Sequence, residues 1–406
     1  MIATLSFLKW ICLIPVGIGS VYALLCMLTV FRFRLGEQKS PAGQISDWPP
    51  VTILKPVYGL EKDLRANIRS TCAQDYPAFE VVLSVQRLDD EAIPLLQEIQ
   101  REFGSNRVTV AVEQCYAGPN GKINNLIGGL KHARHDVLVI SDSDVQLRPD
   151  YLKTIVAPLA DPNVGYVCTL GKAVKADTWF EKMELLTINA DLTPNMAFAI
   201  VTGAAQFCLG ASTAIRRGTL DQIGGLGSLA HYLVEDYEMG QRVLATGKKM
   251  VILPYFVEMV VDLKTPRHWW NHLVYWDQNN RAARPGALFS TVLIRPIPFA
   301  FLFALLTLGS SLGLTVLGMA LVVRLATATV IMRWGLHDRA GVRCLPLLVI
   351  RDIAALASWF LAFTKQTTIW RESEFILTHD GRLVRQERED CATSLSQGTT
   401  SVSQSP

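Results

Sequence analysis

Apolar positions fall into three stretches of different character along the chain. From Ile11 to Phe31 runs an uncharged stretch of 21 residues, long enough at about 1.5 Å per residue to cross a hydrocarbon layer of about 30 Å. From residue 50 to about 150, short apolar runs alternate with segments whose apolar positions recur at helical spacing. The runs "PVTILKPVYG", "FEVVLSVQ", "RVTVAVE" and "DVLVIS" predict strands. Between them, "DLRANIRSTCAQDYP", with Leu64, Ile68 and Cys72 on one face, "EAIPLLQEIQREF" and "KINNLIGGLKHA" predict helices. Near-continuous apolar strands alternating with helices predict an α/β domain whose central sheet is mostly parallel and covered on both faces. Beyond position 150, "NVGYVCTLGKAV" and "FCLGASTAIRR" predict further strands around a long insert.

The third stretch is apolar again. From Leu288 to Met332 the only charges are Arg295 and Arg324, which fits two membrane helices with Gly309-Ser310-Ser311 near their turn. Leu345 to Phe363 is interrupted by Arg351 and Asp352, a pair costly in lipid unless matched or near the interface. That run is a re-entrant or interfacial helix, or a third crossing. Residues 35–49 read as a breaker-rich linker, and the Ser/Thr-rich tail from Asp390 as disordered. The expected organisation is therefore a membrane anchor over 1–34, an α/β domain over 50–285, membrane helices over 286–370 and a tail over 371–406. Lys9 precedes the first apolar stretch and Arg32 and Arg34 follow it. The pattern predicts an uncleaved anchor with the α/β domain on the cytoplasmic face of a multi-pass membrane protein.

Charge and cysteine content narrow the partners. A net charge of +3 without a dense basic patch gives no case for nucleic acid. Eight cysteines are scattered without a CxxC or a Cys/His cluster, so neither a zinc site nor a disulfide framework is suggested.

Candidate chemistry begins at "ISDSD". Asp142 and Asp144 stand two apart where the fourth predicted strand ends, so their side chains point the same way. Ligands of open α/β sheets gather at such strand ends. Hard divalent cations favour one or two carboxylates together with phosphate oxygens and water. The bland alternative is turn chemistry or helix capping. Asp90 follows the second strand, where an acid can accept hydrogen bonds from a nucleoside or can simply be a solvated loop residue. Lys122 in "GPNGKINNL" opens a helix, a place that favours anions, though surface lysines are common. Glu235 and Asp236 in "HYLVEDYEMG" lie between apolar residues, where a partly buried acid can serve as a general base or merely begin a helix. Trp269, Trp270, Tyr275 and Trp276 precede the third apolar stretch beside basic residues, a composition suited to a bilayer headgroup zone.

The order of "VTILKPVYGLE", "GKINNL", "ISDSD", "VTGAAQFCLGASTAIRR", "LDQIGGL" and "LVEDYEMG" resembles the ceramide glucosyltransferases, with likeness over about residues 50–285 and again at "IWRESEFIL" and "DGR". Bacterial glycosyltransferases that act on hopanoid lipids have a similar layout. The resemblance implies a nucleotide-diphospho-sugar transferase (GT-A) domain, with Asp90 at the nucleotide and Asp142 and Asp144 at a divalent cation (Mg²⁺ or Mn²⁺) and the diphosphate. It implies Asp236 as the base that deprotonates the acceptor. The family's last motif, Gln or Arg followed by two residues and Arg-Trp, is matched by His272-Leu-Val-Tyr275-Trp276, where Tyr replaces Arg. A second register, Gln278-Asn-Asn-Arg281, keeps Gln and Arg but ends on Ala282. Trp276 is the better-supported site residue of this motif, with His272 beside it and Arg281 a source of the missing charge.

The expected activity is inverting transfer of a hexose from a UDP-sugar to a hydroxyl of a membrane lipid, ceramide first and a hopanoid second. A processive polysaccharide synthase shares several of these ingredients but needs a channel for its polymer. A non-catalytic scaffold needs none of the acids.

Overall fold

The computed structural model describes residues 9–36, 45, 47–205, 208–365, 367–370, 373–378 and 381–385. Most of the linker predicted over 35–49 and the end of the tail lie outside the described residues. Helix α1 spans Leu13–Leu35 and lies within an apolar helical segment, Lys9–Leu35, long enough to cross a membrane. The predicted alternation follows: β1 (Val51–Pro56), α2 (Leu64–Cys72), β2 (Phe79–Val85), α3 (Ile93–Phe103), β3 (Val108–Val112), α4 (Gly121–Leu130) and β4 (Val137–Ser141). β1 pairs in parallel with both β2 and β4, and β2 with β3.

Four more strands complete the main sheet: β5 (Val145–Gln146), β6 (Val164–Val174), β7 (Ser212–Arg216) and β8 (Lys249–Val260). The order is β3-β2-β1-β4-β7-β6-β8-β5, mostly parallel with β7 and β5 antiparallel to their neighbours. Alternate residues of β1 enter opposite cores. Val51 and Ile53 pack with Leu83, Val139 and Tyr151, while Leu54 packs with Ile123, Leu138 and Ile140. This two-sided burial is why the strands read as unbroken apolar runs.

Strand β8 carries no clean sequence signature, because Pro254 sits in its middle and proline cannot donate to a ladder. The structure accommodates it with a bulge: Thr169 pairs with Leu253 and Leu170 with Phe256, leaving Pro254 and Tyr255 between. The long insert between β6 and β7 is one helical rod. α5 (Trp179–Thr187) passes through a π-helical turn at Ile188–Leu192 into α6 (Thr193–Val201). α7 (Glu235–Ala245) then precedes β8, and α8 (Pro266–Ala283) follows it.

Past Pro285, two helical segments, Pro285–Ile294 and Pro296–Leu306, meet at a 50° bend. The second contains α9 (Pro296–Leu306), and a turn with positive φ at Leu308 and Gly309 leads into α10 (Ser311–Val330). The turn falls where Gly309-Ser310-Ser311 predicts it. α11 (Leu348–Thr364) belongs to a third run that is long and apolar enough to cross a membrane. Its contacts run along α8. Leu345 and Leu348 at its start pack with Trp269 and Leu273. Ser358 donates to Asp277 at 2.6 Å, and at its far end Arg281 donates to the carbonyls of Ala362 and Lys365. Both ends of the run thus contact α8.

Arg351 and Asp352 are matched, as their cost in lipid requires. Arg324 of α10 forks onto Asp352 at 2.8 and 3.1 Å and donates to the Ala190 carbonyl at 3.0 Å. Arg351 reaches Asp191 at 2.7 Å, Asp352 at 3.1 Å and Thr187 at 3.2 Å. Asp191 belongs to the π-turn, so the apolar helices are bolted to the α5–α6 rod. The expected boundary at 370 also shifts. α11 ends at Thr364, and β9 (Thr367–Trp370), β10 (Ser373–Leu377) and β11 (Leu383–Arg385) form a small antiparallel sheet within the segment read as helix end and tail. Phe375, Leu377 and Leu383 of this sheet pack on Leu233, just before α7.

Candidate active site

Strand order reverses at β1, between β2 and β4, and the candidate acids gather at the carboxyl ends of these strands. Asp90, after β2, accepts from the Gly59 N–H with both oxygens at 3.0 Å and from the Ala92 N–H at 2.9 Å. It ties the loops after β1 and β2 together and begins α3. Asp142 and Asp144 follow β4, and the Asp142 N–H donates to the Ala211 carbonyl at 3.0 Å.

Lys122 makes the central link. Its helix α4 begins at Asn120, whose side chain accepts the Ile123 N–H at 3.0 Å. The Lys122 ammonium lies 2.7 Å from Asp142 Oδ1 and 3.2 Å from Glu235 Oε1. Burial works against this charge, but Asp142 and Glu235 outweigh it and hold the lysine above its usual range. Asn120 adds a second tie, donating to the Tyr232 carbonyl at 3.0 Å and to Glu235 at 3.2 Å. The start of α7, carrying Glu235 and Asp236, is thereby brought to the strand-end acids.

Asp236 accepts from the Tyr237 N–H at 2.8 Å. Burial, then the neighbouring Glu235 charge, push its carboxyl up to about 7, against the pull of Lys122. Such a group is poised to exchange a proton near neutrality. Gly210 passes so close that a Cβ there would sit 2.9 Å from Asp236 Oδ2.

Helix α8 covers this cluster with the face that carries His272, Tyr275, Trp276 and Asn279, spaced three and four apart. The charges of Glu235 and Asp236 act on Tyr275, and that of Asp144 acts on His272. His272 Nδ1 is 3.0 Å from Glu184 Oε1, and its ring meets that of Trp276 edge-on at 5.7 Å. Burial opposes the imidazolium, but Glu184 raises the His272 pKa overall. The Trp276 Nε1 is buried without a hydrogen-bond partner. Arg281 is not brought to the cluster. It stands four residues after Asp277 on the face toward α11, where it caps the end of that helix. Nor do Trp269 and Trp270 form a headgroup belt: Trp269 is buried against α5, 6.1 Å from the Trp179 ring.

Burial, then Asp142 and Glu61, push the Asp144 carboxyl up to about 7. No hydrogen bond or ion pair to that carboxylate occurs among the described residues, and a cation beside it would favour its ionised form. Among the described residues no group of three or more His, Cys, Asp or Glu side chains is placed to hold a metal. A donor set of one or two carboxylates, with the remaining positions left to phosphate and water, fits a hard divalent ion such as Mg²⁺ or Mn²⁺. Sequence reasoning missed three contributors. Lys55 and Asn67 are fully buried beneath the Asp142–Asp144 loop, and Glu184 lies in the unassigned insert. Only Lys55, a lone charge inside the apolar run "VTILKP", left a visible signal.

A mostly parallel α/β domain with acids gathered at its switch point is joined to helices long and apolar enough to cross a membrane. The family model described as "Glycosyl transferase family 21" matches residues 11–383, and the chain belongs to that family. It is similar to "Ceramide glucosyltransferase 1" of Caenorhabditis elegans, 23% identical over 378 residues that cover 90% of this chain and 80% of the relative. A shorter similarity, 31% identical over 145 residues, covers 34% of this chain and 42% of the "Undecaprenyl-phosphate 4-deoxy-4-formamido-L-arabinose transferase" of Enterobacter sp. (strain 638). Among solved structures, the mannosyltransferase PcManGT of Pyrobaculum calidifontis, in complex with GDP-Man and Mn²⁺, aligns with a TM-score of 0.48 at 18% identity, over 86% of this chain and 98% of that one.

Proposed function

We propose that this chain transfers a hexose, glucose first, from a UDP-sugar to a hydroxyl of a membrane lipid, ceramide first, with inversion at the sugar carbon. The carrying observation is the Lys122 bridge, which joins Asp142 to Glu235 and so sets the Asp142/Asp144 pair and Asp236 around one site. Asp142 and Asp144 would hold the divalent cation, which when bound neutralises charge on the diphosphate. Lys122 adds a fixed ammonium on the same side, and fixed charge aimed at a leaving group is an effective form of catalysis. Asp90 steadies the loops that receive the nucleoside. Asp236 takes the proton from the acceptor hydroxyl as it attacks the face of the sugar opposite the departing UDP. Tyr275, acted on by the Glu235 and Asp236 charges, and His272, held by Glu184, would border the acceptor's approach. Lipid glycosyl transfer agrees with the family, and the ceramide choice rests on the names of the relatives. The basic residues after the first apolar stretch support a site on the cytoplasmic face.

The test uses the full chain in lipid nanodiscs, a panel of UDP-sugars and separate ceramide and hopanoid acceptors, with products identified by mass. A ceramide monohexoside is the expected product. Asp236→Asn, which keeps shape and removes the base, should lower turnover by about 10²–10⁴-fold while UDP-sugar affinity stays within a fewfold of the parent. Unchanged turnover in that variant removes Asp236 from the mechanism.

A further inference from the structure

Main-chain carbonyls at the turn after β4 are held by donors from β1 and α2. Lys55 Nζ donates to the carbonyls of Asp142 at 2.7 Å and Val145 at 3.2 Å, and to Ser141 Oγ at 3.4 Å. Asn67 Nδ2 donates to the Ser143 carbonyl at 3.0 Å. The Val260 N–H donates to the Asp144 carbonyl at 2.9 Å. Every carbonyl from Asp142 to Val145 is therefore occupied.

An ammonium has three N–H donors, and all three of Lys55's acceptors lie in the segment 141–145. Both Lys55 and Asn67 have no solvent exposure. The neighbours of Lys55 in β1, Ile53 and Leu54, are ordinary core residues. A buried lysine is expensive compared with a hydrocarbon of similar volume, so stability alone does not account for a charge in this place. Its placement accounts for two things at once. It fixes the backbone of a turn whose two carboxylates must face one point, and it sets a positive charge under side chains that would otherwise push each other apart.

We propose that Lys55 and Asn67 are positioning residues for the reaction: an internal ammonium and an amide that preorganise the Asp142–Asp144 turn to receive a divalent cation together with a nucleoside diphosphate. The inference rests on the reading of that acid pair given above. Groups that support a metal ligand from behind typically change metal affinity by about 10–100-fold when removed. Lys55 acts through the backbone of the ligands and touches neither cation nor sugar.

The experiment titrates Mn²⁺ into the full chain in nanodiscs with UDP present, by calorimetry, for the parent, Lys55→Met and Asn67→Leu, each first checked for folding by thermal melting. Lys55→Met should weaken Mn²⁺ binding by about 10–100-fold, and Asn67→Leu by about two- to tenfold, the equivalent of one hydrogen bond. UDP affinity without metal should remain that of the parent. Raising Mn²⁺ should restore most of the turnover of Lys55→Met, a rescue that a loss of stability would not give. A folded Lys55→Met with Mn²⁺ affinity within twofold of the parent overturns the proposal. Should Lys55→Met fail to accumulate as folded protein, Asn67→Ser decides: weakened Mn²⁺ binding supports the proposal and unchanged binding overturns it. A parent that binds UDP equally with and without Mn²⁺ overturns the reading of the acid pair as well. A metal-dependent parent beside an unaffected variant overturns this inference alone.

Discussion

Replacing Arg324 by methionine tests how the apolar helices are joined to the α/β domain. Arg324 makes three hydrogen bonds, two to Asp352 and one to the Ala190 carbonyl. Arg324, Arg351, Asp191 and Asp352 form a cluster of two cations and two anions, with side-chain exposure between 3% and 24%. Arg324→Met leaves one uncompensated negative charge among buried groups and strands one carbonyl. Removing one partner of a buried pair costs about 3–5 kcal/mol, and Asp352→Leu should cost about the same for the mirror-image reason. The double variant Arg324→Met/Asp352→Leu keeps the Arg351–Asp191 pair at 2.7 Å and restores a neutral cluster. It should be more stable than either single variant, with a coupling energy of several kcal/mol where independent sites add to within about 0.5 kcal/mol. Denaturant unfolding in mixed micelles, followed by tryptophan fluorescence for the four proteins, measures the cycle. Single variants within about 1 kcal/mol of the parent, or losses that simply add, would refute the cluster as the bolt between the two parts.

Asp236 also sets a pH profile: as a base it must be ionised, so kcat/KM should fall with unit slope below about 7 and level off above it, the value to which burial and Glu235 bring it. The stability sign runs the other way, because a carboxyl whose native pKa exceeds its unfolded value near 3.9 makes the fold bind protons more tightly. Its contribution to stability therefore declines as pH rises from about 4 to about 7, which pH-dependent melting measures in the parent against Asp236→Asn. Gly210→Ala places a Cβ 2.9 Å from Asp236 Oδ2; displacing a reacting group by about 1 Å can cost about 100-fold, so turnover should drop steeply with little change in melting temperature. Arg281→Ala should cost about 1–3 kcal/mol by stranding the carbonyls that end α11 and leave turnover per folded molecule unchanged; a 100-fold loss in a folded variant would return Arg281 to the reaction.

The strand–helix alternation from Val51 to Ser141 is legible because burial on both faces demands continuous apolar strands, and period alone then separates them from the helices. Asp142, Asp144, Asp90, Lys122 and Asp236 are legible for another reason: each stands at a strand end or helix start, where a local pattern marks the position. Three features escape such reading. Pro254 hides β8 because its bulge depends on the partner strand β6. The π-turn at Ile188–Leu192 supplies Asp191 to a cluster whose other members lie more than 130 residues away. Lys55 shows only as a lone charge in an apolar run, and its role, like that of Asn67, is a contact with the backbone of a distant turn, which side-chain pattern does not record. Arg281 shows the converse error. Four residues from Asp277, it must share that residue's side of the helix, and that side belongs to α11.

Helix α8 is where these observations join. His272 and Tyr275 feel the charges of the acids, while Asp277, Gln278 and Arg281 bond to Ser358, the Thr367 carbonyl and the end of α11. α11 in turn exposes Ile350, Ile353 and Phe360 on its outer side, an apolar surface suited to acyl chains. The two helices lie side by side over their length, so the depth of α11 in a leaflet sets the height of the face carrying Tyr275 and Trp276. The Arg324 cluster ties α10 and α11 to the α5–α6 rod as well. Under the proposed reaction, a lipid hydroxyl then meets Asp236 without leaving the headgroup layer, and the energy of extracting the acceptor never enters the barrier. Positioning of this kind needs rigid contact between the α/β domain and the apolar helices, and the four largely buried charges of the Arg324 cluster supply it.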